Sequence, residues 1–180
     1  MSVKILSESK PFFEISNIKS SFINSQKDLA KINGTWLDIL YFNSLSNYLL
    51  SNFNNVENSY YKKDAVDYLV VLSKNFYIYF SIIYKLIEKI KKEAKNKDID
   101  SFFVNFKLSL GKKIQIVRNE VIIHKEYKNY RDSIFSSFDT GNSGLHLFLK
   151  TKNGDFELSP FDDLEELNLC LDKLKKIVEK

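Results

Sequence analysis

The sequence predicts a mainly α protein: an up-and-down bundle of four to five helices with a small C-terminal β-hairpin before the last helix. Three observations predict it. Only 5 glycines and 2 prolines occur in 180 residues, which disfavours turn-rich β sandwiches and favours long helices. Apolar residues recur at steps of three and four through most of the chain, the spacing of one helix face. One short segment alternates instead: Leu145, Leu147 and Leu149 interleave with His146, Phe148 and Lys150, the period of a strand. The length suits one domain, residues 1–180, large enough to bury a real core.

Along the chain, residues 1–14 read as irregular, with Pro11 stopping any early helix. Ile15 to Ile32 is a helix candidate that ends before Asn33-Gly34, a helix-stop pair. Thr35 then starts a second helix, because Asp38 three residues on approximates a capping box. Its expected core face is Trp36, Ile39, Phe42, Leu45, Leu49 and Phe53, and Asn54-Asn55 closes it. A long segment from about Tyr60 to Ala94 is apolar nearly all round between Tyr68 and Ile87, as a central helix contacted on several sides should be.

Asp100 is placed to cap the next helix, from Ser101 to about Glu126, with the stripe Phe103, Phe106, Leu110, Ile114, Val117 and Val121. Gly111 interrupts that pattern and marks a kink or a close helix crossing. The hairpin is expected over about 145–158, turning at Asn153-Gly154, a pair that supplies the positive φ angles of a type I′ turn. Ser159-Pro160 reads as N-cap and N1 of a final helix over about 160–178, which packs Leu164, Leu167, Leu171, Leu174 and Val178.

Composition sets outer limits. The apolar (44%) and charged (28%) fractions are those of an ordinary globular protein, and the net charge of +4 permits a polyanionic partner without demanding one. The lysine-rich tail from Lys89 to Lys97 reads as a solvated last turn with cations at a helix C-terminus, the alternative being a phosphate-facing patch. Cys170 is the single cysteine, so no disulfide forms within the chain, and its leucine-rich surroundings suit a buried, inert thiol. Two distant histidines and one cysteine make no zinc site, so no metal and no cofactor is expected. The N-terminus lacks the apolar core of a signal peptide, and the greasiest window, Ala65 to Ile87, is broken by Asp67, Lys74, Asn75 and Lys85. The expectation is a cytoplasmic protein with no membrane segment.

The chemistry-bearing candidates lie in one stretch. Of 27 Lys+Arg residues only Arg118 and Arg131 are arginine, and Arg118 opens Arg118-Asn119-Glu120-Val121-Ile122-Ile123-His124, which also holds one of two histidines. An arginine fork suits a phosphate in a way lysine does not reproduce. Histidine trades protons near neutral pH. A structural reading competes with the catalytic one. His124 continues the Phe103-to-Val121 stripe and could be the partly buried end of a core face, hydrogen-bonded by Glu120; Arg118 could be an ion-pair donor to Glu120 or Glu126.

The order Arg118, polar Asn119, four further residues and His124 resembles the Arg-x(4–6)-His signature of the HEPN superfamily (higher eukaryotes and prokaryotes nucleotide-binding). The resemblance covers about seven residues by motif and residues 35–126 by helix order. It implies a helical bundle and metal-independent endoribonuclease activity, in defence or toxin–antitoxin biology. In such a site Arg118 stabilises charge on the phosphoryl oxygens, His124 acts as general acid or base, and Asn119 orients the phosphate or the histidine. Tyr127 and Tyr130 are candidates to stack on RNA bases, and Arg131 is a candidate second phosphate contact or an ion-pair partner of Asp132 or Glu126.

On a regular helix Arg118 and His124 stand about 120° apart in rotation and roughly 9 Å apart along the axis, so one straight helix does not aim both at one phosphate. A two-fold homodimer through the Arg118–His124 helix, as the resemblance implies, would bring copies together; a local kink is the alternative. The tyrosine that some HEPN toxins carry two residues after the histidine, where an antitoxin modifies it, is Glu126 here, with Tyr127 one later. That departure sets the chain apart from this subgroup; an antitoxin or regulator, beside RNA, is a partner that the wider resemblance implies. The competing function is a non-catalytic helical binding or regulatory protein that keeps the bundle. His146, on a strand, and the Thr140–Gly144 connector, which lacks a Walker lysine, suggest no site of their own.

Overall fold

A computed structural model describes residues 10–53, 59–119, 138–139, 146–151 and 154–180. Two short 3-10 segments, Ile15–Asn17 and Ser20–Ser25, lead into α1 (Gln26–Phe53). Then come α2 (Ser59–Ala94), α3 (Lys97–Phe106), a π-helical turn (Lys107–Gly111) and α4 (Lys112–Val117). β1 (Phe138–Asp139), β2 (His146–Thr151), β3 (Gly154–Leu158) and α5 (Pro160–Val178) complete the described chain. The protein is a mainly α bundle. α2 packs against α1, α3, α4 and α5, which makes it the central helix.

Cross-helix pairs give the direction of each helix. Lys89 meets Asp28 while Tyr79 meets Phe42, so α1 and α2 run antiparallel. Lys91 meets Asp100 and Tyr84 meets Phe106, so α3 runs back along α2. Lys113 meets Asp163 at the start of α5, whose far end, with Lys173 and Ile177, shares a groove with Asp98 and Phe102. The path is therefore up, down, up, down. β2 and β3 pair antiparallel with Thr151 opposite Gly154, and β1 adds to the other edge of β2.

α1 corrects the sequence reading twice. The helix does not stop at Asn33-Gly34 or restart at Thr35, but runs through both. The Asn33 side chain is spent elsewhere: the Phe13 backbone N–H donates to its Oδ1 at 2.7 Å, and its Nδ2 donates to the Phe13 carbonyl at 2.9 Å. Asn33 thus straps the N-terminal segment to α1 instead of terminating the helix, and Thr35 Oγ1 donates back to the Lys31 carbonyl at 3.0 Å. The core face also differs. Ile32, Trp36, Ile39, Leu40, Asn43 and Ser46 are buried, whereas Leu45 is 37% exposed and joins Leu37, Tyr41 and Tyr48 on the outer side. Trp36, Ile39, Phe42 and Leu49 hold the expected core face, and counting apolar residues alone missed only that Asn43 and Ser46 are buried while Leu45 is not.

Among the described residues, α2 is the one helix long and apolar enough, by length and composition, to cross a membrane, over Asp67–Ala94. Much of that apolarity is core: Leu69, Phe76, Phe80, Ile83, Ile87 and Ile90 are sealed against the other helices, while Tyr68, Val71 and Ile82 are exposed. The α2–α3 corner is tighter than expected. Lys95 takes a left-handed φ of 46°, and α3 then begins at Lys97, not Ser101. Asn96 is its cap, with Oδ1 accepting from the Asp98 N–H at 2.8 Å; Asp100 lies in the first turn, near the positive end of the helix. In α5, Pro160 occupies N1 and all five expected positions, Leu164, Leu167, Leu171, Leu174 and Val178, are buried.

Candidate functional site

Arg118 is carried by the third bundle strut, α3 to α4, and its position follows from how that strut is fixed to α2. The expected stripe is buried as far as the described residues reach: Phe103, Phe106, Leu110, Ile114 and Val117. Between Phe106 and Lys112 the helix winds as a π turn, and Ser109 leaves helical geometry at φ −86°, ψ −109°. Gly111 sits at the end of this turn against Tyr84. A β-carbon there would lie 2.8 Å from the Tyr84 ring and 2.9 Å from the Phe106 carbonyl. Kink and close crossing, expected as alternatives, occur together, because the π turn swings Gly111 onto the ring that Phe106 also touches.

Two polar ties then hold α4. Gln115 Nε2 donates to the Tyr84 hydroxyl at 2.7 Å. Lys113 Nζ donates to Asp163 Oδ1 at 2.5 Å, and the Tyr77 hydroxyl donates to Oδ2 of the same carboxylate. Asp163 and Tyr77 are buried, so this junction joins α2, α4 and α5 in the interior. Burial pushes the Asp163 carboxyl above its ordinary range despite the Lys113 and Tyr77 hydrogen bonds, which act the other way. Burial, and after it the neighbouring Asp163 charge, holds the Tyr77 hydroxyl well above its ordinary value. The sequence analysis had not singled out this junction; Lys112-Lys113 directly after the odd glycine was its only signal.

At the end of α4, Val117 is core, Arg118 is half-buried and Asn119 is exposed. The Arg118 N–H donates to the Ile114 and Gln115 carbonyls, and Arg118 and Asn119 then continue in π winding. The rotation expected for a regular helix therefore does not carry through this point. His124, Tyr127, Tyr130 and Arg131 lie outside the described residues.

The other candidates separate clearly. In the lysine tail of α2, Lys89 reaches Asp28 at 2.7 Å, Lys91 reaches Asp100 at 3.6 Å and Lys92 reaches Glu88 at 3.3 Å, so these cations face carboxylates. Hydrogen bonding to Asp28 raises the Lys89 pKa above its ordinary value. Cys170 is buried and burial pushes its thiol up, away from a reactive thiolate. It floors a groove between α3 and α5 with Phe102, Phe106 and Leu169, more than two turns of helix short of Arg118. Among the described residues, no three of His, Cys, Asp and Glu come together as a metal would need.

In comparisons with known proteins, no family model, no curated protein and no solved structure matches this chain.

Proposed function

We propose that this chain is a metal-independent endoribonuclease of the HEPN type, cytoplasmic, acting in defence or toxin–antitoxin biology as a homodimer through the Arg118–His124 helix. The observation that supports the reading best is that Arg118 and Asn119 stand at the solvent-facing end of a buried, firmly braced helix in a mainly α bundle. A half-buried arginine directly after a core residue, Val117, is held more rigidly than one on a free surface turn, and a rigid fork suits a developing phosphoryl charge.

In this mechanism a histidine removes the proton of the ribose 2′-OH. The oxygen attacks phosphorus, the bond to the 5′-oxygen breaks, and that oxygen leaves with a proton. The products are a 2′,3′-cyclic phosphate and a 5′-hydroxyl. Arg118 neutralises charge on the non-bridging oxygens, Asn119 orients the phosphate or the histidine, and His124 moves the proton. Bases stack on Tyr127 and Tyr130, and Arg131 contacts a second phosphate.

The test is cleavage of labelled single-stranded RNA in excess chelator. The native chain should yield cyclic-phosphate ends, while Arg118→Ala and His124→Ala should each cut roughly 100-fold more slowly or worse, with unchanged helical circular dichroism. A variant that cuts as well as its parent removes the catalytic assignment and leaves a helical binding or regulatory protein.

A further inference from the structure

We propose that the exposed face bearing Lys107 and Lys112 is a phosphate-contact ridge along which a single strand of RNA lies as it approaches Arg118 and Asn119. The choice of RNA as the polyanion rests on the proposed function; the ridge itself rests on helix phase and charge.

From Ser101 to Asn119 the chain carries Lys107, Lys112, Lys113 and Arg118 and no Asp or Glu, although 23 acids occur in the whole sequence. On a regular α-helix, residues five apart differ by about 140° in direction, so Lys107 and Lys112 would not face the same way. The π turn changes this. Phe106 and Gly111, also five apart, both rest on the ring of Tyr84: the Phe106 and Tyr84 centroids are 5.7 Å apart, and a β-carbon on Gly111 would lie 2.8 Å from that ring. Each lysine is the next residue after one of these two and is exposed, so the turn that brings Phe106 and Gly111 to a common side brings Lys107 and Lys112 to a common outer side. Half-buried Arg118 and exposed Asn119 follow further along the same strut. From Lys107 to Asn119 the strut spans roughly 18 Å, room for several successive phosphates.

Among the described residues, no carboxylate offsets the charge on this face. Lys113 turns inward to Asp163 at 2.5 Å, and Lys89, Lys91 and Lys92 of α2 meet Asp28, Asp100 and Glu88. Among the described residues, Lys107 and Lys112 make no ion pair. Leu108, 74% exposed, and Val104, 53% exposed, flank the cations and give base faces something apolar to rest on. An anionic membrane surface would also meet lysines and leucines. A single strand is favoured because Lys107 and Lys112 precede Arg118 and Asn119 in order along one strut, as successive phosphates of a strand would meet them.

The experiment is fluorescence anisotropy of a labelled single-stranded RNA with full-length His124→Ala protein, across a salt series. Adding Lys107→Ala and Lys112→Ala should weaken binding and reduce the slope of log affinity against log salt by about 0.7 for each lysine removed. Lys89→Ala and Lys92→Ala, whose amines face carboxylates, should leave both quantities unchanged. Unchanged binding in the Lys107→Ala, Lys112→Ala protein overturns the ridge. So does binding to anionic phosphatidylserine vesicles, lost in the same variants, with no RNA binding. If RNA binds through these lysines but the native chain cuts nothing, the ridge stands and the ribonuclease reading falls. If the native chain cuts, and the double variant in the His124-intact chain binds and cuts as well, the reverse holds.

Discussion

Gly111 lies so close to Tyr84 that no β-carbon fits between them: the nearest ring atom would be 2.8 Å away and the Phe106 carbonyl oxygen 2.9 Å away. Gly111→Ala should therefore destabilise the fold by about 1–3 kcal/mol, through overpacking of a rigid ring and backbone. Urea denaturation measures it. Because the same contact sets the angle at which α4 delivers Arg118, the variant should also lose activity beyond its loss of folded protein. A stable, fully active Gly111→Ala protein would mean that the strut tolerates another crossing.

The other mid-helix glycine should behave oppositely. Nothing lies within 4 Å of a β-carbon built on Gly34, which sits exposed inside α1. Gly34→Ala should stabilise the protein by about 0.5–1 kcal/mol, since alanine loses less backbone freedom on folding. Its neighbour Asn33 carries both hydrogen bonds to the Phe13 backbone. Asn33→Ala leaves that buried N–H and carbonyl unpaired and should cost about 2–4 kcal/mol. If the pair of substitutions shifts the denaturation midpoint in the same direction, the account of this stretch fails.

Lys95 is the one described non-glycine residue with positive φ, at 46°. A side chain there crowds the backbone, so Lys95→Gly should stabilise the α2–α3 corner by about 1 kcal/mol. Thermal melts that show a loss instead would indicate that the lysine side chain contributes more than its strain.

Tyr77 gives a pH test. Burial first, and the Asp163 charge after it, hold its hydroxyl proton above the ordinary value of 10.0. Above pH 10 the unfolded chain gives up this proton while the folded one keeps it, so the stability it contributes is intact below pH 10 and falls as pH rises. The native slope should exceed that of Tyr77→Phe by up to about 1.4 kcal/mol per pH unit just above pH 10. At neutral pH the variant should be less stable by about 1–3 kcal/mol, because buried Asp163 keeps Lys113 but loses a donor. Parallel curves for the two proteins would show that Tyr77 ionises as readily folded as unfolded.

Helix identity was legible where a single face is apolar and repeats. The stripes of α5 and of α3 through Val117 are buried as expected, because each packs on one side only. α1 was misread at its stop signal and at one position of its core face. Asn33-Gly34 resembles a stop because asparagine and glycine are easily turned into αL, yet the amide here has a partner twenty residues away in sequence. The Leu45 position looked like core because it is apolar, whereas the polar residues Asn43 and Ser46 are buried beside Phe42, which packs against the core as expected.

Arg118 and Asn119 were found by residue rarity and by the chemistry each side chain offers, which are properties of the chain alone. Periodicity likewise established the bundle, since burying a 3.6-residue stripe needs no knowledge of what it packs against. The π turn at Lys107–Gly111 is different in kind. It arises where Gly111 is drawn onto Tyr84, a residue of another helix, and it changes which residues share a face. Local pattern carries helix phase only while the winding stays regular. Once a distant ring altered the winding, the direction of Lys107 and Lys112, and the junction of Lys113 with Asp163 and Tyr77, became matters of packing between helices.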